Sequence, residues 1–89
     1  FSLSQNFPNP FNPSTTIQFN LTIPGIIRLE VSDILGREIA VLVDRELPAG
    51  EYRVTFTPDA TLPSGMYLYK LQTGKFSETK KMLLLKLQI

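Results

Sequence analysis

The side chains able to do covalent or acid–base chemistry are few in this chain, and their types narrow the possibilities at once. There is no cysteine and no histidine. Thiolate nucleophiles, disulfides and most zinc sites are therefore excluded, and a serine nucleophile lacks its usual imidazole base. A serine–lysine pair, drawn from Ser64 or Ser77 with Lys75 or Lys80, is the remaining nucleophilic arrangement. These residues read as ordinary surface positions on strands and turns. Acid pairs such as Asp33 with Glu38, or Asp44 with Glu46, fall in turn-like stretches, where acidic side chains accept local backbone bonds. A calcium site needs about six oxygens on a spaced acidic loop, which Asp44 and Glu46 do not supply. Asn20-Leu21-Thr22 matches the glycosylation triplet but lies mid-strand, and Asn12-Pro13-Ser14 is disqualified by its proline. The residue inventory points away from an enzyme and implies no cofactor or metal.

Bulk properties bound the partners. The 89 residues carry 43% hydrophobic and 19% charged side chains, values of a globular domain rather than a disordered tail. One domain over residues 1–89 is expected, burying about 60–65% of its unfolded surface. A net charge of +1 gives no basic field for nucleic acid. The most apolar run, Met82-Leu83-Leu84-Leu85, is far shorter than the ~20 residues that span a bilayer. Phe1 opens without Met or a basic stretch, so no signal peptide is visible. The sequence therefore reads as a piece excised from a longer protein.

The elements that would position these residues are strands. Residues 1–7 form a possible short edge strand anchored by Leu3. Asn6-Phe7-Pro8-Asn9-Pro10-Phe11-Asn12-Pro13-Ser14 follows. Its prolines fix φ, remove backbone donors and push their predecessors out of the helical region, so a stiff extended loop is expected. Phe7 and Phe11 are its expected core anchors, with Asn9 and Asn12 closing Asx-type turns. Over residues 15–23, Ile17, Phe19, Leu21 and Ile23 alternate with polar residues, which predicts a half-buried strand. Pro24-Gly25 has the chemistry of a type II turn, so a hairpin to the next strand, with Ile27, Leu29 and Val31 inward, is expected. Asp33-Ile34-Leu35-Gly36-Arg37-Glu38 reads as a turn in which Gly36 takes positive φ and Asp33 accepts backbone donors.

Residues 38–43 predict a third strand, residues 44–50 a polar connection ending in Pro48-Ala49-Gly50, and Tyr52, Val54 and Phe56 another one-sided strand. Residues 57–65 read as loop. Tyr67, Tyr69 and Leu71 then alternate in what should be the central strand, bracketed by Pro63-Ser64-Gly65 and Thr73-Gly74. Met66 and Leu68 make its other face apolar, so cover on both sides is expected. A final strand runs over about residues 75–86. No helical-length segment shows three-to-four spacing, no repeat of the whole unit is present, and strand–turn units recur. The fold class is thus all-β, an antiparallel β-sandwich of about seven strands.

Two features carry a second reading. Tyr67 suits a tyrosine corner, its hydroxyl bonded back to nearby backbone, better than a ligand-stacking role. Lys80-Lys81-Met82-Leu83-Leu84-Leu85-Lys86 is apolar on both faces and bounded by lysines. It reads either as a strand passing from edge to core with lysine gatekeepers, or as a strand recognised by another protein.

Gln5-Asn6-Phe7-Pro8-Asn9-Pro10-Phe11-Asn12-Pro13-Ser14-Thr15-Thr16-Ile17 closely resembles the opening of the C-terminal sorting domains of the type IX secretion system. Asp33-Ile34-Leu35-Gly36-Arg37-Glu38, Leu47-Pro48-Ala49-Gly50, Ser64-Gly65-Met66-Tyr67 and Lys80 to Lys86 match in the family's order. The Ig-like domain of flagellar hook-capping proteins is similar, but fits the Asn-Pro-Phe-Asn-Pro run and the lysine-bounded end less well. The resemblance implies an Ig-like sandwich and a non-enzymatic address tag on a cargo domain fused N-terminally. In such families the cargo enters the periplasm of a Gram-negative bacterium by its own signal peptide. An outer-membrane translocon reads the folded tail, and a sortase usually removes it, so that cargo is secreted or attached to surface lipopolysaccharide. Implied recognition residues are Lys80, Lys81, Met82, Leu83, Leu84, Leu85 and Lys86. Implied framework residues are Pro8, Asn9, Pro10, Asn12, Pro13, Asp33, Gly36, Gly50, Gly65 and Tyr67. A cleavage site would lie before Phe1, and Leu87-Gln88-Ile89 runs past the family's usual terminal lysine. A monomer is expected. The alternative is a carbohydrate-binding or spacer sandwich of an extracellular enzyme.

Overall fold

Period-two apolar patterning dominates the sequence, and the computed structural model, which describes residues 1–86, folds it entirely into strands and loops. The strands are β1 (Ser2–Leu3), β2 (Thr15–Leu21), β3 (Gly25–Asp33), β4 (Glu38–Leu47), β5 (Gly50–Phe56), β6 (Gly65–Thr73) and β7 (Phe76–Leu84). They form two antiparallel sheets, ordered β1-β2-β5 and β4-β3-β6-β7. The result is the sandwich expected of the sequence, consistent with an Ig-like arrangement. The expected end of the signal near residues 87–89 lies outside the described residues.

Alternation places the core as expected on most strands. Ile17, Phe19 and Leu21 of β2 face Ile27, Leu29 and Val31 of β3 and Tyr67, Tyr69 and Leu71 of β6, all buried. Met82 and Leu84 close the core from β7 at 0% exposure. Between sheet neighbours, Phe19 stacks on Tyr52 at 5.3 Å and 20°, an offset geometry favoured by ring quadrupoles. The turn of residues 33–38 also forms as expected. Gly36 takes φ 84°, and Asp33 Oδ1 accepts the N–H groups of Leu35 and Arg37.

Five local expectations are corrected. β2 and β3 are not a hairpin: β2 pairs with β5 from Thr15↔Phe56 to Leu21↔Gly50, and β3 lies in the opposite sheet. Gly25 is a β3 residue opposite Leu47 and is not among the positive-φ glycines a type II turn would need. A hairpin and an arch across the sandwich bury the same alternating residues, so the pattern alone cannot separate them. Ile23, expected inward, is 73% exposed because the chain has already left the sheet.

Phe7, expected as an anchor, is 78% exposed, whereas Phe11 is 1% exposed and packs edge-on against Phe56. The reason is register. Phe7 exchanges both backbone bonds with Thr16, and cross-strand partners share a face. Thr16 lies between the inward Thr15 and Ile17, so Phe7 points out.

The polar stretch at residues 44–46 is strand, not connection, because β4 runs to Leu47 opposite Gly25. Charged residues are tolerated there because β4 is an edge strand. A bulge between Leu29 and Glu30 leaves Leu42 unpaired. Ala40, Leu42 and Val43 then meet the core while Ile39 and Val41 stay partly exposed.

Finally, β6 is central in its sheet but covered on one side only. Met66 on its outer face is 42% exposed.

Candidate recognition surface on the terminal strand

β7 is the edge of the four-stranded sheet, so one row of its backbone groups faces away from β6. Those groups belong to alternate residues, and the N-terminal proline segment meets them over the strand's last third. Gln5 Nε2 donates to the Lys81 carbonyl at 2.7 Å, and the Leu83 N–H donates to Asn9 Oδ1 at 2.9 Å. The Phe11 N–H donates to the Leu83 carbonyl at 2.9 Å, and the Leu85 N–H to the Phe11 carbonyl at 3.1 Å. Asn9 thus serves the edge strand rather than a local Asx turn. The peptide bonds Phe7-Pro8, Asn9-Pro10 and Asn12-Pro13 are all cis, and Asn12 and Pro13 are exposed.

The seven residues from Lys80 to Lys86 do not share one environment. Met82 and Leu84 are core. Lys81, Leu83 and Leu85 alternate with them and face outward, with Leu85 47% exposed and Leu83 half-buried. Lys80 lies 3.5 Å from Glu78. Lys86 is folded back: its N–H donates to Ser64 Oγ at 2.8 Å and its Nζ to the Ala60 carbonyl at 2.5 Å. The terminal lysine therefore ties the strand end to the β5–β6 loop.

That loop leads into Tyr67, whose hydroxyl donates to the Pro63 carbonyl at 2.6 Å, the expected tyrosine corner. Burial, and secondarily the Asp33 charge, raise its pKa. Tyr52 makes the same bond to Pro48, at 2.5 Å. The two corners come from a local echo, Leu47-Pro48-Ala49-Gly50-Glu51-Tyr52 and Leu62-Pro63-Ser64-Gly65-Met66-Tyr67. Gly50 and Gly65 share φ of 152° and 155°. The signal for the second corner was in the sequence, as a Leu-Pro-small-Gly-x-Tyr spacing.

The N-terminal proline segment thus forms a strap over the β7 edge, and sequence reasoning also missed the pin at its other end. Asn6 is 2% exposed; its Nδ2 donates to Thr15 Oγ1 and to the Pro8 carbonyl. Its N–H donates to the Tyr69 hydroxyl at 2.8 Å, and that hydroxyl donates to the Ser4 carbonyl at 2.7 Å. Burial pushes the Tyr69 pKa up to about 12, against a smaller opposing effect of the Asn6 N–H.

Elsewhere on the outer face of the larger sheet, Arg28 and Lys70 are paired with acids. Arg28 contacts Glu30, Glu38 and Asp44, and Lys70 contacts Glu30 at 3.4 Å. The Arg28 hydrogen bond holds the Glu30 carboxyl below its ordinary range, with Lys70 adding to it. Asp33 is likewise lowered, first by the Arg37 N–H. Among the described residues no cluster of acidic side chains converges to hold a metal ion. No helix among them is long and apolar enough to cross a membrane. A cleft of about 470 Å³ lies at the far end of β7 between Phe1, Leu21, Ile23, Pro24, Ile26 and Phe76.

These features define a β-sandwich whose polar side chains serve turns, corners and strand edges. The model of one family, described as the secretion system C-terminal sorting domain, matches residues 5–85. The chain belongs to this family, the C-terminal sorting domains of type IX secretion. A comparison with curated proteins gives no match.

Proposed function

We propose that residues 1–89 act as one monomeric address tag, fused behind a cargo domain and read in the folded state by the type IX outer-membrane translocon. Family membership over residues 5–85 carries this reading, since a C-terminal sorting role implies export and a fused cargo. The cargo crosses the inner membrane of a Gram-negative cell by a separate signal peptide and is delivered to the surface or released. A sortase then removes the tag from its cargo. Residues 80–86 are the recognition strand. Pro8, Pro10, Gly36, Gly50, Gly65 and Tyr67 hold the frame that presents it. The domain itself performs no catalysis. Phe1 and Phe76 are its paired exposed rings, but at 53° they make no flat platform for a sugar.

The test is a transplant. A signal peptide and a reporter are fused ahead of residues 1–89 and expressed in a type IX-competent host. The fusion should reach the surface or medium, and the reporter lacking the domain should stay in the periplasm. Equal distribution of the two would reject the role.

A further inference from the structure

The terminal strand offers a partner two routes, its edge and its outer face. The edge is closed where the recognition residues lie. Of the outward backbone groups over residues 81–85, the Lys81 carbonyl, both Leu83 groups and the Leu85 N–H are already bonded to Gln5, Asn9 and Phe11. A strand added there would first have to displace four hydrogen bonds, along with Phe11, which is 1% exposed in the core. The open part of the edge lies around Ser77 and Thr79, outside the recognition residues.

The outer face is open. Met66 stands directly across from Leu83, and Leu68 across from Lys81. Outward backbone bonds at Leu83 make Met66↔Leu83 a non-hydrogen-bonded pair, the kind that sets side chains closer together. With Leu85 they form an apolar patch; Met66 and Leu85 are 42% and 47% exposed. Lys81 is exposed at its border, and among the described residues no carboxylate lies within ion-pair distance of it. By contrast, Arg28 and Lys70 on the same face are neutralised. Apolar centres with a charged border are the anatomy of protein interfaces.

We infer that the folded signal is read through this outer face. Met66, Leu68, Leu83 and Leu85 dock an apolar protein surface that carries a carboxylate opposite Lys81, and the strand edge stays closed by the strap. The inference rests on the address-tag reading and specifies which surface of the tag is used. Recognition is then of a two-strand surface, so β6 contributes as much as β7.

The test uses the reporter fusion with three variants. Leu83→Gln with Leu85→Gln, and separately Lys81→Glu, alter the outer face. Thr79→Pro removes an outward N–H and blocks strand addition at the open edge without breaking a ladder bond. Expected is a loss of export of about tenfold or more for both face variants, as for interface anchors, with unchanged melting temperatures of the purified chains. Thr79→Pro should export normally. If the intact fusion fails to export, the tag reading falls and this inference with it. If it exports and both face variants export equally well, this inference alone falls. Loss of export in Thr79→Pro with unchanged melting would also overturn it, in favour of strand addition.

Discussion

A tyrosine hydroxyl buried in a sandwich needs a hydrogen-bond partner, and Tyr69 has two: it donates to Ser4 and accepts from Asn6. Tyr69→Phe leaves the buried Asn6 N–H without a partner, so a loss of about 1–3 kcal/mol is expected by denaturant unfolding. The same residue gives an alkaline signature. Its folded pKa, about 12, lies above the ordinary value of 10.0. The unfolded chain therefore releases its proton first, and stability falls as pH rises from 10 towards 12, by ~1.4 kcal/mol per pH unit and about 2–3 kcal/mol in all. Tyr69→Phe should flatten that part of the curve; an unchanged alkaline slope would show that another group titrates there. The period-two run made Tyr69 legible as core, but the partners of its hydroxyl lie more than 60 residues away and were not. Gly65 was legible as a turn glycine. At φ 155°, Gly65→Val should cost about 1–3 kcal/mol by backbone strain alone, since no atom stands within 4 Å of an added Cβ. An unaltered melting temperature would refute that conformation.

Among the elements, the proline segment and β7 depend on one another. A proline-rich stretch cannot lie within a sheet, but it can cover an edge when side chains bond the strand: Gln5 Nε2 donates to the Lys81 carbonyl and Asn9 Oδ1 accepts from the Leu83 N–H. Asn9→Ala removes the acceptor for the Leu83 N–H. It should destabilise by about 1 kcal/mol and raise hydrogen exchange selectively at Leu83. Exchange at Leu83 equal to that of the intact chain would mean the strap does not hold the strand. The sequence showed that residues 6–14 form a stiff loop; which edge they guard is settled by contacts 70 or more residues apart. Phe7 was misread for a related reason, since its direction is set by the register with Thr16 rather than by its own hydrophobicity.

For the molecule as a whole, the strand proposed for recognition is also one that the core depends on. Removing residues 80–89 takes away Met82 and Leu84, both at 0% exposure, and the partners of the strap. Burying those two side chains is worth about 1.5–3 kcal/mol each before cavity terms, comparable to the whole margin of many small domains. The truncated chain should therefore lose its cooperative thermal transition; a retained sharp transition would show that the rest folds alone. Loss of export on truncation thus mixes unfolding with loss of signal, and outward-facing substitutions separate the two. Strand existence, the inward rows on β2, β3, β5 and β6, the Asp33–Gly36 turn and the Tyr67 corner were all determined by the amino-acid sequence, because period-two burial and turn chemistry act within a few residues. Sheet membership was decided by the tertiary structure: β2 with β5 rather than β3, one open face of β6, and the closed edge of β7. Pairing partners, bulges and edge cover are contests between distant segments that bury the same residues, and only assembly of both sheets shows which wins.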